Sequence, residues 1–315
     1  MKVDQYMGDY ISLRGNKIAL GEIFSRDLED DNFIAELRAQ YMQGDALRHV
    51  GIQGLFSEKL LDLIVEEMQA GDTGLSPITL KTQKTLRVSG DRRFGPATTA
   101  YFWAVNSNPF VTFLQKVTGI ENLIVDHSLY AGGLHETPVG GFYAIHRDFN
   151  LHRHNRLSNS LVLLTYLNRD WRDEYGGHLE LWDAPTRRSV KSIRPDFGMT
   201  VVMAHGPSNY HGHPAPLACP EGMTRKSIAA YYYTHNLAAC EDATFIDSVF
   251  LDKIKANDPH IISRNQQMWA SLEAWQKWGM LLDLFVPPIL LRAYRHTKRK
   301  VCSASAPLAK KWGCG

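Results

Sequence analysis

Apolar positions in the first part of the chain recur at helical spacing. Between Ser25 and Met42, the residues Leu28, Phe33, Ile34, Leu37 and Tyr41 fall broadly on one face, which predicts a helix. A second helix is predicted from Ser57, a favourable N-cap residue, with Leu60, Leu61, Ile64 and Val65 as its buried stripe. From Gly71 to Gly95 the density of Gly, Thr, Ser and Arg predicts loops with one or two short strands. Pro109 then opens a helix through Phe110, Phe113, Leu114 and Val117, and Gly119 stops it.

From about Leu123 to Thr234 the texture changes. Short β-rich runs, LIVDHSLY, GGFYAIH, SLVLLTYLN, GGHLELWD, RSVKSI, GMTVVMAH and KSIAAYYYT, are separated by Gly, Asn, Asp and Pro. Strands of this length and spacing predict an antiparallel sandwich or barrel rather than alternating β/α units. Beyond Glu241 a helical period returns, with Phe245, Val249, Phe250 and Ile254, then Met268, Leu272, Trp275 and Trp278. The segment MLLDLFVPPILLRAYRHTKRK is an apolar run broken by Pro287 and Pro288 and followed by a basic cluster. It reads as a terminal helix folded on the β core, with a membrane surface or a partner as the alternative use. The organisation expected is an N-terminal helical region over residues 1–120, a β core over 121–236 and a C-terminal helical extension over 237–315, integrated as a single domain.

Composition narrows the function classes. The 315 residues are 44% hydrophobic, enough for a sizeable core, and the formal charge is +2 with charged residues mixed along the chain. No sequence-wide field is present to hold a polyanion, so nucleic acid is not expected as a partner. MKVDQYMGDYISLRG lacks the apolar run of a secretory signal, and no span of eighteen apolar residues occurs. Cys219, Cys240, Cys302 and Cys314 form no CxxC pair, which argues against a zinc knuckle or a dense disulfide framework. A reducing cytoplasm is the expected compartment, with Cys302 and Cys314 as solvated thiols; the helical ends are the expected place for a homodimer face.

Two words carry the chemistry: HRDFN, with His146 and Asp148, and NYHGHP, with His211 and His213. On a strand, residues i and i+2 share a face, so His146 and Asp148 can enter one cavity as adjacent metal ligands. GMTVVMAH is the later strand expected to deliver a third ligand from NYHGHP just beyond its end. Two imidazoles and one carboxylate suit iron(II) in oxygenases, because open positions remain for co-substrate and dioxygen. Zinc accepts the same donors, but the HExxH of many zinc hydrolases is absent. Arg225 begins the strand-like run RKSIAAYYYT; its guanidinium can grip a carboxylate in bidentate fashion, and Ser227 on the same face can add a hydroxyl.

This set of words resembles the iron- and 2-oxoglutarate-dependent dioxygenase superfamily, in its prolyl 4-hydroxylase-like branch, over roughly residues 120–235. LYAGGLHETPVGGFYAIHRDFN resembles the family's strand leading into HxD; YLN at Tyr166 to Asn168 with YGGHLELWD resembles its central hairpin, and HGHPAPL with RKS its closing strands. The resemblance implies a double-stranded β-helix, a jelly-roll variant, flanked by N- and C-terminal helices. It implies His146, Asp148 and His211 as ligands of Fe(II), with His205 and His213 as rivals for the last position. His211 is preferred because GHPAPL resembles the turn that follows the family's metal histidine. Arg225, Ser227 and Tyr143 are implied to bind 2-oxoglutarate, and dioxygen is the second co-substrate. The implied reaction hydroxylates, desaturates or cyclises a small molecule, amino acid or peptide-linked substrate, with release of succinate and CO2. His135, Asn150, His152, His154, Arg156 and Trp171 are candidates for touching that substrate. Two other readings are a non-catalytic jelly-roll protein that binds metal and carboxylate, and a surface-associated protein acting through its basic C-terminal helix.

Overall fold

The structure is a computed structural model that describes residues 10–44, 47–70, 75–80, 83–88, 94–183, 186–206, 208–235, 245–246 and 248–251. All of them lie in the first of two compact units, Met1–Arg264. Helices form where the apolar period is helical and the chain can be capped. A hairpin of β1 (Tyr10–Leu13) and β2 (Asn16–Ala19) precedes α1 (Asp31–Met42). Helix α1 begins later than Ser25 because the Asp30 carboxylate accepts the amides of Asn32 and Phe33, ending their need for helical partners. After β3 (His49–Gln53) comes α2 (Glu58–Gln69), which buries Leu60, Leu61 and Ile64 as expected; Ser57 sits at its N-cap without a side-chain bond.

Strands β4 (Ser76–Leu80) and β5 (Gln83–Val88) occupy the Gly71–Gly95 stretch. The next helix, α3 (Pro96–Val105), was not among the expected elements. Its run PATTAYFWAV is apolar nearly all round, so it shows no stripe, and all but three of its residues are buried. Its start is held by Glu67 of α2, whose carboxylate accepts from the Ala97 and Thr98 amides at 2.6 and 2.9 Å. Gly95 is required there, since a Cβ would stand 2.2 Å from the Glu67 carboxyl carbon. Helix α4 (Asn108–Thr118) ends at Gly119, which adopts φ +72°.

The β-rich stretch supplies β6 (Ile124–Val125), β7 (Gly133–Thr137), β8 (Phe142–Arg147), β9 (Ser158–Tyr166), β10 (Leu179–Asp183), β11 (Arg188–Ile193), β12 (Met199–Ala204), β13 (Asn209–His213) and β14 (Arg225–Thr234). Their order is β11-β10-β13-β8-β5-β7-β14-β9-β12-β3, antiparallel throughout. Alternation along each central strand separates two cores. Leu161 and Leu163 of β9, Val202 of β12 and Ile228, Ala230 and Tyr232 of β14 pack with the helices. Their neighbours Val162, Tyr166, Val201, Met203, Tyr231 and Tyr233 turn the other way, onto Leu179 and Leu181 of β10. This is the mainly β, double-stranded β-helix architecture, with helices packed on one outer face; the site lies between the inner faces.

Three expectations are corrected. LIVDHSLY is only briefly a strand, because Asp126 folds the chain into a turn by accepting the amides of Ser128 and Tyr130. NYHGH, expected just beyond the end of the GMTVVMAH strand, is a strand in its own right, β13. Val249 and Phe250 form β15 (Val249–Phe250), not part of a helix, and pair with the end of β8 in register Val249↔Arg147 and Phe250↔His146. The expected helices through Trp278 and the Pro-Pro and basic segment lie outside the described residues.

Candidate metal and carboxylate site

β8 and β13 are neighbours, and their register sets His146 opposite His211. Opposed residues in an antiparallel pair share a face, so both imidazoles point inward, and Asp148 follows two residues after His146. The nitrogens of His146 and His211 and a carboxylate oxygen of Asp148 all lie within 4.8 Å of one another. His146 Nε2 is 3.4 Å from Asp148 Oδ1, and His211 Nε2 is 3.6 Å from Oδ2. Among the described residues this is the one such group of metal-capable side chains.

Surrounding bonds prepare the donors. His146 Nδ1 donates to the Ala144 carbonyl at 2.8 Å, which fixes the tautomer and leaves Nε2 with its lone pair toward Asp148. The His146 ring is also stacked on Tyr143, with centroids 4.0 Å apart, and contacts Phe250 of β15 at 5.5 Å. The Tyr231 hydroxyl donates to Asp148 Oδ2 at 3.2 Å, orienting the carboxylate. Burial alone raises the Asp148 pKa, but His211 and His146 outweigh it, holding the carboxyl well below its usual range. Burial pulls His211 down to about 4, against the attraction of Asp148. One carboxylate and neutral imidazoles are the protonation states in which these groups coordinate a cation.

The rivals of His211 fall elsewhere. His205 Nε2 donates to the backbone carbonyl of Asp148 at 3.1 Å, so that nitrogen is occupied. His213, one strand repeat beyond His211 across an irregularity in the β8–β13 register, borders the same cavity. Burial first, then Arg225 and the imidazoles of His146 and His135, drive its pKa well below the ordinary histidine value. Its Nδ1 is buried without a hydrogen-bond partner among the described residues.

The cavity continues from the triad to Arg225, Ser227 and Tyr143. Arg225 is 5% exposed; its Nε donates to the Gly177 carbonyl at 2.6 Å, and its guanidinium lies 4.9 Å from the Tyr166 ring centre. Gly177 adopts φ +70° and passes so close that a Cβ there would stand 3.0 Å from the Arg225 side chain. Burial lowers the Arg225 pKa, offset by Tyr166; no carboxylate contributes, and none among the described residues pairs with it. A buried guanidinium without an acid fits a ligand carboxylate, as the triad fits a divalent cation.

The residues expected at the mouth divide. His135 lines the cavity. His152 instead sits 3.5 Å from Asp126 and accepts backbone amides at Nδ1, a structural role. Trp171 is buried with Leu217 and Cys219 and donates to the Gly176 carbonyl. Asn150 accepts the Ile246 amide at 2.7 Å, while His154 is exposed and Arg156 half-buried. Tyr231 and Tyr166 were missed. Tyr231 was readable as the third step of the alternation Arg225, Ser227, Ala229, Tyr231, all on one strand face.

The geometry can be set beside known proteins. Residues 132–233 match the 2OG-Fe(II) oxygenase superfamily. The matched segment spans β7 to β14 and contains His146, Asp148, His211, Arg225 and Ser227. That family is named for Fe(II) and 2-oxoglutarate. Similar solved structures include a prolyl-4-hydroxylase from Pseudomonas putida, 18% identical, covering 64% of this chain and 100% of its own, with a TM-score of 0.44. A prolyl hydroxylase from Trichoplax adhaerens, in complex with a hypoxia inducible factor peptide fragment, is 17% identical over 66% of this chain and 94% of its own, with a TM-score of 0.47. HygX from Streptomyces hygroscopicus, with nickel and 2-oxoglutarate bound, is 12% identical over 67% of this chain and 96% of its own, with a TM-score of 0.44. Comparison with curated protein sequences finds no match.

Proposed function

We propose that this chain is an iron(II)- and 2-oxoglutarate-dependent dioxygenase, most simply a hydroxylase, in which His146, Asp148 and His211 hold the iron. The observation that carries the reading is the joining, in one cavity, of a largely buried His-Asp-His cluster with a buried arginine that has no acid partner among the described residues. When bound, iron and 2-oxoglutarate supply oxidation of a substrate C–H group by dioxygen, with release of succinate and CO2.

The chain's own residues then have distinct tasks. Arg225 and Ser227 take the distal carboxylate of 2-oxoglutarate, so that its 2-oxo acid end points along the cavity toward the triad. Tyr143 braces His146 by stacking and borders the same cavity. The apolar neighbours Val162, Leu164 and Leu179 keep water from that stretch. Asp148 keeps a carboxylate in the ligand set, which disfavours halogenation, a reaction that needs that position open for chloride. The substrate is proposed to be a small molecule, amino acid or peptide-linked residue. Among the relatives, one holds a peptide fragment and HygX has been captured with hygromycin B, which motivates both ends of that range.

A non-catalytic metal- and carboxylate-binding protein would be expected to lack one of these residue types, and the presence of His146, Asp148, His211 and Arg225 around one cavity supports the enzyme reading instead. The surface-associated reading rests on residues beyond 251, outside those described; no described helix is long and apolar enough to cross a membrane. Turnover tests the proposal. The full chain with Fe(II), 2-oxoglutarate and oxygen should form succinate, slowly alone and faster with a true substrate. Asp148→Ala and Arg225→Gln should each lower the rate by about a hundredfold or more, the scale on which losing one charged contact acts. Succinate formation equal to wild type in both variants would contradict the assignment.

A further inference from the structure

The oxygenase-like segment begins at residue 132, but one wall of the cavity comes from earlier in the chain. Strand β5 is inserted between β7 and β8, and Thr85 borders the cavity alongside Thr137, Arg225 and Ser227. The registers align these groups. β5 pairs with β7 at Leu86↔Glu136, so Thr85, one place earlier, stands level with Thr137, and Thr137 is paired with Arg225 of β14. Two hydroxyls and a guanidinium therefore form one row across three adjacent strands.

We propose that Thr85 donates a hydrogen bond to the distal carboxylate of the bound dicarboxylate, completing from outside the matched segment the clamp made by Arg225 and Ser227. This inference rests on the function proposed above. Two observations point to a ligand. Thr85 is 5% exposed and its hydroxyl has no hydrogen-bond partner among the described residues. Gln83, on the same face two residues earlier and opposite Tyr143, is fully buried, and neither its amide nitrogen nor its carbonyl oxygen has a partner among the described residues. Buried polar groups left unpaired cost their full desolvation, so a strand that carries two in succession beside a guanidinium with no carboxylate partner among the described residues is arranged for a polar guest. A carboxylate has about four acceptor sites. A guanidinium fork fills two, and hydroxyls on either side fill the rest. The interior of β5 is thus polar where a strand serving only packing would be apolar.

The test is 2-oxoglutarate binding to the full chain loaded with Mn(II), which does not turn over, followed by titration calorimetry. Thr85→Val keeps shape and removes the hydroxyl; it should weaken 2-oxoglutarate about ten- to a hundredfold, the effect of losing a bond to a charged group. Thr85→Ser should bind within about threefold of wild type, because the donor is retained. Wild-type affinity in Thr85→Val would overturn the proposal, and so would equal losses in the Val and Ser variants. Unfolding midpoints without 2-oxoglutarate check that each variant folds, and Thr85→Ala serves if the valine variant does not. A wild-type protein that binds Mn(II) but no 2-oxoglutarate would remove the functional reading itself, a distinct outcome.

Discussion

At the scale of single residues, the site is a set of protonation states imposed by burial. His211 has its pKa pulled down to about 4 from an ordinary 6.5. Between those values the unfolded chain takes up a proton that the folded chain refuses, so stability rises with pH there. The contribution is complete above about 6.5, where the unfolded histidine is neutral, and is lost as pH falls toward 4. For the metal-free protein the loss from this one group is about 3 kcal/mol. His213 and His205, both lowered by burial, act in the same direction. Asp148, an acid whose pKa is also lowered, loses its contribution only as pH falls below its ordinary value of 3.8. Denaturant midpoints of metal-free protein should therefore fall steadily from pH 7 to pH 5; a flat profile would mean that these imidazoles are solvated. The residue identities were largely legible. HxD, the later histidine and RxS are local words whose types dictate their chemistry, and one cavity gathers the five residues they supply, with Tyr143 beside them. Tyr231 escaped because a tyrosine in AAYYYT reads as core packing until its hydroxyl is seen on Asp148.

At the scale of elements, the strand alternation was readable and the long-range pairing was not. A sequence period tells which face a residue shares with its neighbours, not which distant strand lies beside it. Two insertions changed the site as a result: β5 from the N-terminal side and β15 from the C-terminal side both pair with β8. A two-residue strand has no periodicity to read, so Val249 and Phe250 resembled one turn of a helix. α3 was invisible for the opposite reason, being apolar on every side. The β15 pairing gives Phe250 a specific task, since it is 4% exposed and packs on the His146 and Tyr143 rings. Phe250→Ala should cost about 3 kcal/mol of stability, near the lower end for a buried aromatic because the strand is short. It should also weaken Mn(II) binding several-fold by freeing the His146 ring. Equilibrium unfolding and metal titration measure the two effects; a variant unchanged in both would reduce β15 to a passive cover.

At the scale of the whole molecule, a β-helix with one outer face packed on helices keeps, on its inner side, one cavity lined by both the triad and Arg225. The sheet fixes the triad and Arg225 on different strands, so a dicarboxylate held as proposed would be oriented by backbone register. Substrate identity was not legible, because surfaces that face a substrate are shaped by loops and by segments without a shared motif. The central claim is that one cation and one dicarboxylate bind together in this cavity. Anaerobic addition of Fe(II) and then 2-oxoglutarate to the full chain, followed by visible absorption, tests it most directly, since chelation of iron(II) by a 2-oxo acid produces a weak charge-transfer band. The band should appear in the wild type only after both additions and should be absent in Asp148→Ala. No band in the wild type, or one of equal strength in Asp148→Ala, would contradict the account.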